Sequence, residues 1–300
     1  MKKKTYLFAL MAMALTLGSC SDNENGIGGE TSKYITVSTS IGNMTRVATD
    51  EKGGQTFEEG DEISVYAWTG DATVAPETRE RVVNNAINKL TNGSWVSTPQ
   101  MLWKNNRDKH YFIGVYPISA ISDLSAGEYT FDETKQVESD LLVAVNKDGL
   151  SYNVDEQQPV PLTFTHVMAK LVVNLTYKNQ WGGIPTVEKV VVGNAAKEAT
   201  INYLTKVVTP STTAKEDFSL PEITENTKYV SVIIPQEEVT QLTIVIGGKN
   251  FVYDNGTPFK LESGKITTVN LEVGRDEIKL GDVKITNWED GSTFSGEALN

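Results

Sequence analysis

Short runs in which apolar and polar residues alternate recur through most of this sequence, and they leave little room for anything but β-structure. Residues 34–41 read YITVSTSI, with Ile35, Val37 and Ile41 on one side and Tyr34, Thr36, Ser38 and Ser40 on the other. Period two in β-forming residues marks a half-buried strand. The habit returns in EISVYAW (62–68), HYFIGVYP (110–117), DLLVAV (140–145), TVEKVVV (186–192), KYVSVIIP (228–235), QLTIVI (241–246), KNFVY (249–253) and KITTVNLEV (265–273). Gly247-Gly248 separates two of these runs and predicts a two-residue hairpin turn. The last runs, 278–280 and 283–285, change parity at Gly281-Asp282. Only residues 78–90 carry helical spacing, through Val82, Ala86 and Leu90. A short helix is the expectation there, against an asparagine-rich composition. Many short strands with Gly, Pro and Asn turns predict an all-β protein built from β-sandwiches.

Residues 160–177 form the longest such run. Its apolar load changes parity near Ala169, which predicts a bend or bulge where the chain passes from one sheet to the next. Pro159 and Pro161 interrupt any earlier ladder. The expected division is therefore a β-sandwich domain over 34–165 and a second over 166–300.

The ends carry a different signal. Lys2, Lys3 and Lys4 precede an apolar stretch, 6–17, that suits a secretory leader and is short for a permanent span. The protein's single cysteine, Cys20, follows Leu17-Gly18-Ser19. These residues resemble the bacterial lipoprotein box. The resemblance implies removal of 1–19 and modification of Cys20 by palmitate-type acyl chains, several of which together give a durable anchor. Residues 20–33 then read as a flexible, acidic tether. Acidic residues just after such a cysteine resemble the surface-export signals of Bacteroidetes lipoproteins, which implies the outer face of the outer membrane. Loss of the three leader lysines takes the formal charge from −12 to −15. A chain that acidic is a poor nucleic-acid binder.

Chemistry is scarce. Neither of the two histidines, His110 and His166, belongs to a closely spaced set with cysteine or carboxylates. Zinc and Cys–His chemistry therefore lack raw material. No G-x-S-x-G and no phosphate-cradling glycine loop occur. Glu58, Glu59, Asp61 and Glu62 read as a solvated turn sooner than a calcium loop. No enzyme activity, cofactor or metal is expected. Trp95 and Trp181, beside turn residues, are candidate sugar-stacking aromatics; the competing reading is that they cap the sandwich ends.

One resemblance covers nearly the whole chain. The lipoprotein box and tether are followed by ITVSTSIGNMTRVAT, FEEGDEISVYAW, MLWKNNRDKHYFIGVYP, ESDLLVAV, PLTFTHVMAKLVVNL and VKITNWEDG. In this order they resemble the fimbrillin-like pilins of Bacteroidetes. The resemblance implies two transthyretin-like β-sandwich domains and delivery to the outer membrane as a lipoprotein. It further implies cleavage by a trypsin-like protease after an arginine beyond the first strand, here Arg46. The strand bearing Ile35, Val37 and Ile41 would then leave, and another fimbrial subunit's strand would replace it in the fimbrium. A donor strand is sought in Ile278, Leu280, Val283 and Ile285, but the last twelve residues offer only Phe294, Ala298 and Leu299 to insert. That favours a tip or accessory subunit. The alternative is a surface lipoprotein that binds a carbohydrate or host ligand without polymerising.

Overall fold

The computed structural model describes residues 33–42, 56–152, 158–239, 241–253 and 258–288. Up to His166 these form eight strands: β1 (Val37–Ile41), β2 (Glu62–Thr69), β3 (Arg81–Thr91), β4 (Ser94–Thr98), β5 (His110–Tyr116), β6 (Gly127–Thr130), β7 (Leu142–Leu150) and β8 (Val160–His166). All but β6 join one sheet in the order β1-β8-β7-β5-β2-β3-β4. The first strand runs parallel to the eighth, and the other pairings in this sheet are antiparallel.

Beyond it come β9 (Ala169–Tyr177), β10 (Val187–Ala196), β11 (Glu198–Asn202), β12 (Val207–Pro210), β13 (Lys215–Ser219), β14 (Glu222–Thr224) and β15 (Lys228–Ile233). The chain ends its described part with β16 (Gln236–Val239), β17 (Leu242–Ile246), β18 (Lys249–Tyr253), β19 (Phe259–Leu261), β20 (Lys265–Val273) and β21 (Ile278–Asn287). Two of the sheets here run β14-β15-β9-β20-β21 and β13-β10-β17-β18. A small sheet, β12-β11-β6, takes one strand from before His166 and two from after it. The protein is all-β; among the described residues the only helical elements are two three-residue turns.

Core placement follows from the pleat. Along β2, Ile63 to Trp68 are all buried, so this sheet is covered on both faces. On one face Ile63, Val65, Ala67, Val83, Phe112, Ala144, Leu162 and Phe164 meet Ile35 and Val37, and the sheet rolls around this small core. On the other face Tyr66, Trp68, Ile113, Val115 and Val143 enter the main core with Leu171, Val173, Ile201, Tyr203 and Val269.

The expected passage near Ala169 is present: the chain leaves the seven-stranded sheet at His166 and enters the five-stranded one at Ala169. Gly247 and Gly248 form the tight hairpin, with φ of 58° and 72° and Ile246 facing Lys249. That double left-handed turn matches the twist of the strands and favours glycine. The helix expected over 78–90 is not there. A single turn, Thr78–Glu80, leads into β3. Its ladder with β2 slips, and Asn85 sits at φ 54°. The extra residue shifts parity, so the inward side chains are Val83 and Ala86, three apart. Val82 and Leu90, which with Ala86 suggest the helix, are half-buried strand residues.

Close packing inside the rolled sheet gives a direct test. A Cβ added at Gly114 would lie 2.6 Å from Phe164 Cζ and 3.1 Å from Leu162 Cδ1. Phe164 is fully buried and cannot swing aside freely. Gly114→Ala is expected to cost about 1–3 kcal/mol through overpacking. Chemical denaturation should show a lower midpoint with an unchanged slope; an unchanged midpoint would refute this packing.

Candidate functional site

The segment 33–42 is the element whose sequence and position most suggest a function. Its inward parity is as read from the sequence: Ile35 and Val37 are 2% and 6% exposed, and Ile41 is half-buried. Its backbone is bonded on two sides by different partners. Val160 N–H donates to Thr36 O at 2.8 Å and Gly42 N–H to Phe164 O at 2.8 Å, which fixes the parallel register with β8. Upstream, Ile35 N–H donates to Met101 O at 2.9 Å and Trp103 N–H to Lys33 O at 3.0 Å, an antiparallel contact centred on Tyr34 and Leu102.

Residues 101–103 follow β4, the opposite edge of the same sheet. The segment therefore ties both edges of the rolled sheet and closes its seam. Side chains do the same: Trp95 of β4 donates its indole N–H to Thr39 Oγ1 at 3.0 Å. Beneath them Phe57 meets Trp95, Tyr116 and Phe164 edge-on, with ring centroids 5.1–5.4 Å apart. Met101 and Trp103 are partners of this segment that the sequence does not signal. Residues 101–103 read MLW, three apolar residues with no alternation to mark a strand.

The other candidates fall in several places. Cys20 and Arg46 lie outside the described residues, as does the tail beyond Trp288. Trp181 donates its indole N–H to Val273 O at 2.9 Å and carries the Arg275 guanidinium 5.6 Å from its ring centroid. Trp95 and Trp181 are both half-buried, with their N–H groups turned to protein acceptors. The acidic turn is occupied locally. Asp61 accepts Glu58 N–H at 2.7 Å, Glu59 accepts Asn92 N–H at 2.7 Å, and Glu62 pairs with Lys89 at 3.0 Å. Burial, with Asp61 alongside, pushes the Tyr116 hydroxyl up to about 12. His110 opens β5 and is fully buried. Its Nε2 accepts Lys104 N–H at 3.1 Å, and burial pushes its pKa down.

The candidate donor residues occupy β21, an edge strand. Ile278 and Leu280 are half-buried, while Val283 and Ile285 are 37% and 40% exposed. The parity break is a bulge: Leu280 faces Leu271 and Asp282 faces Asn270, leaving Gly281 unpaired. At its far end Trp288 is 4% exposed and stacks on His166, centroids 4.2 Å apart and planes within 6°. His166 Nδ1 lies 2.7 Å from Asp140 Oδ1. The Lys170 ammonium sits 5.5 Å from the Trp288 ring, and burial lowers its pKa to about 8. The end of β21 is thus clamped where the chain passes between sheets.

Known proteins share this architecture. A structure of a cell adhesion protein from Bacteroides uniformis superposes with a TM-score of 0.63 at 18% identity, covering 85% of this chain and 98% of that one. One from Bacteroides ovatus gives 0.64 at 17% identity, with the same coverage. In sequence the chain is 24% identical to Fim1C of Bacteroides uniformis, assigned as a fimbrium subunit, over 97% of each chain. The fimbrillin-like family profile matches residues 45–288. With that match covering most of its length, this all-β chain belongs to the fimbrillin-like family.

Proposed function

We propose that this protein is a tip or accessory subunit of a surface fimbrium, structural in role and not catalytic. In this reading Cys20 is lipidated and carries the precursor to the outer membrane. A trypsin-like protease then cuts after Arg46, the first strand leaves, and a strand of another fimbrial subunit takes its place. Residues 34–165 and 166–300 act as the two sandwich domains.

The observation that carries this reading is the seam. One short segment supplies the bonds to both edges of the sheet and two fully inserted apolar side chains. Each such side chain contributes roughly 1.5–3 kcal/mol. Their loss, with the ladder, is comparable to a typical domain's net stability of about 5–15 kcal/mol. An opened seam exposes unpaired backbone on β8 and on 101–103, which another strand can satisfy. A strand supplied head-to-tail gives a heterologous contact and therefore a filament.

The acceptor-only role rests on β21. It is paired with β20 from end to end and pinned by Trp288, and its outward side chains are mostly polar. A strand held this way is poorly suited to leave and enter a neighbour.

Three outcomes are expected. Arg46→Ala should leave full-length lipoprotein on the membrane and remove the protein from fimbriae. Intact-mass measurement of surface protein reads this directly, and fimbriae that still contain residues 34–41 would end the strand-replacement reading. Ile35→Ser with Val37→Ser should destabilise the precursor by about 3–6 kcal/mol. Finally, Trp288→Ala should cost about 3–5 kcal/mol and speed amide exchange in 278–287 far more than in β9. Equal acceleration in both strands would show that the clamp does not hold β21.

A further inference from the structure

The loop between β4 and β5 is organised around one buried ring. His110 is fully buried at the start of β5. Its Nε2 lies 3.1 Å from Lys104 N, and its Nδ1 lies 3.0 Å from Asp108 O. A backbone N–H can only donate and a carbonyl can only accept. The two contacts therefore fix the ring as the neutral tautomer with its proton on Nδ1. The turn between them is closed by Asn105, whose Oδ1 accepts Arg107 N–H and Asp108 N–H at 2.8 Å each.

The same loop carries one side of the seam. Trp103 N–H donates to Lys33 O at 3.0 Å, and Ile35 N–H donates to Met101 O at 2.9 Å. The Trp103 ring stands edge-on to His110, with centroids 5.0 Å apart. Residue 103 is thus bonded to the first segment while the next residue is bonded to the imidazole. Protonation would put a second N–H on the ring, at Nε2, facing the Lys104 N–H that the neutral ring accepts. Two donors cannot bond each other, so a charged ring must give up residue 104 or turn away from it.

The charges around the ring come from several elements. The loop supplies the exposed Asp108 carboxylate, which favours the charged ring, and the exposed Lys104 ammonium, which opposes it. The Leu150 carbonyl of β7 also favours the charged ring, while Lys147 and Asp148 of that strand are exposed. Tyr152, just beyond β7, packs on Trp103 with centroids 6.1 Å apart. From β2 the residue opposite is Thr69, which is uncharged. Burial outweighs these influences and holds the pKa of His110 below its ordinary value of 6.5.

We propose that His110 is a pH-sensitive latch on the seam, whose protonation frees residues 101–104 from the first segment and leaves the β8 side bonded. The closed ring holds a proton less well than an opened one. The latch is therefore complete above about pH 6.5 and is lost as pH falls below it. It acts with the first segment in place and does not depend on strand replacement.

Residue-resolved amide exchange on the whole chain in detergent, at about pH 7.5 and 5.5 and corrected for the intrinsic rates, tests this. The Ile35 and Trp103 amides report on the loop side of the seam, and the Gly42 and Val160 amides report on the β8 side. Opening at Ile35 and Trp103 should increase about three- to tenfold at the lower pH, because one unit below the opened ring's pKa shifts a linked equilibrium by roughly tenfold at most. Gly42 and Val160 should hold their protection. His110→Gln keeps an acceptor for Lys104 N–H without titrating, so its Ile35 and Trp103 amides should open equally at both pH values. If that variant does not fold, NMR of the imidazole in the native chain supplies the second reading. The ring should carry its proton on Nδ1 at neutral pH, and opening at Ile35 should level off where the closed ring titrates. No increase at Ile35 and Trp103, an equal increase on both sides of the seam, or an undiminished pH response in His110→Gln overturns the proposal. A ring protonated on Nε2 at neutral pH overturns it too.

Discussion

The backbone hydrogen bonds that one ten-residue segment makes to two different partners decide how the rest of this fold behaves. A sheet that rolls around a core must either bond its two edges directly or leave a seam. Here the edges β8 and β4 are not bonded to each other; residues 33–42 lie between them, parallel to one side and antiparallel to the segment following the other. The inward side chains Ile35 and Val37 then complete a core whose other members come from five further strands and from Met101. Closure and core filling are therefore one event. A segment so placed completes the sheet and its core together, with side-chain bonds from Trp95 to Thr39 and from Ser40 to Thr163 beside the backbone ones.

Much of this architecture is legible locally. Alternation marks most long strands, Gly247-Gly248 marks its hairpin, and the parity change at Gly281 marks a bulge. What is not legible is long-range. Nothing in YITVSTSI shows that Val37 lies opposite Val160, or that the pairing is parallel. Register across more than a hundred residues is set by the closing of the sheet, not by neighbours in sequence. The same holds for Trp288 on His166: each reads as an isolated aromatic until the fold stacks them. Residues 78–90 do not show a strand's alternation for a local reason, since the bulge at Asn85 breaks the period of two between Val83 and Ala86.

The first and last described strands are held in different ways. The first strand buries its apolar side chains in the core, and its segment is bonded to β8 on one side and to residues 101–103 on the other. The last strand is bonded along its full length, yet shows Val283 and Ile285 to solvent. Backbone pairing is thus common to both strands, and deep apolar insertion belongs to the first. Whatever holds the rolled sheet closed must supply that insertion as well as the pairing, because the two come from the same few residues.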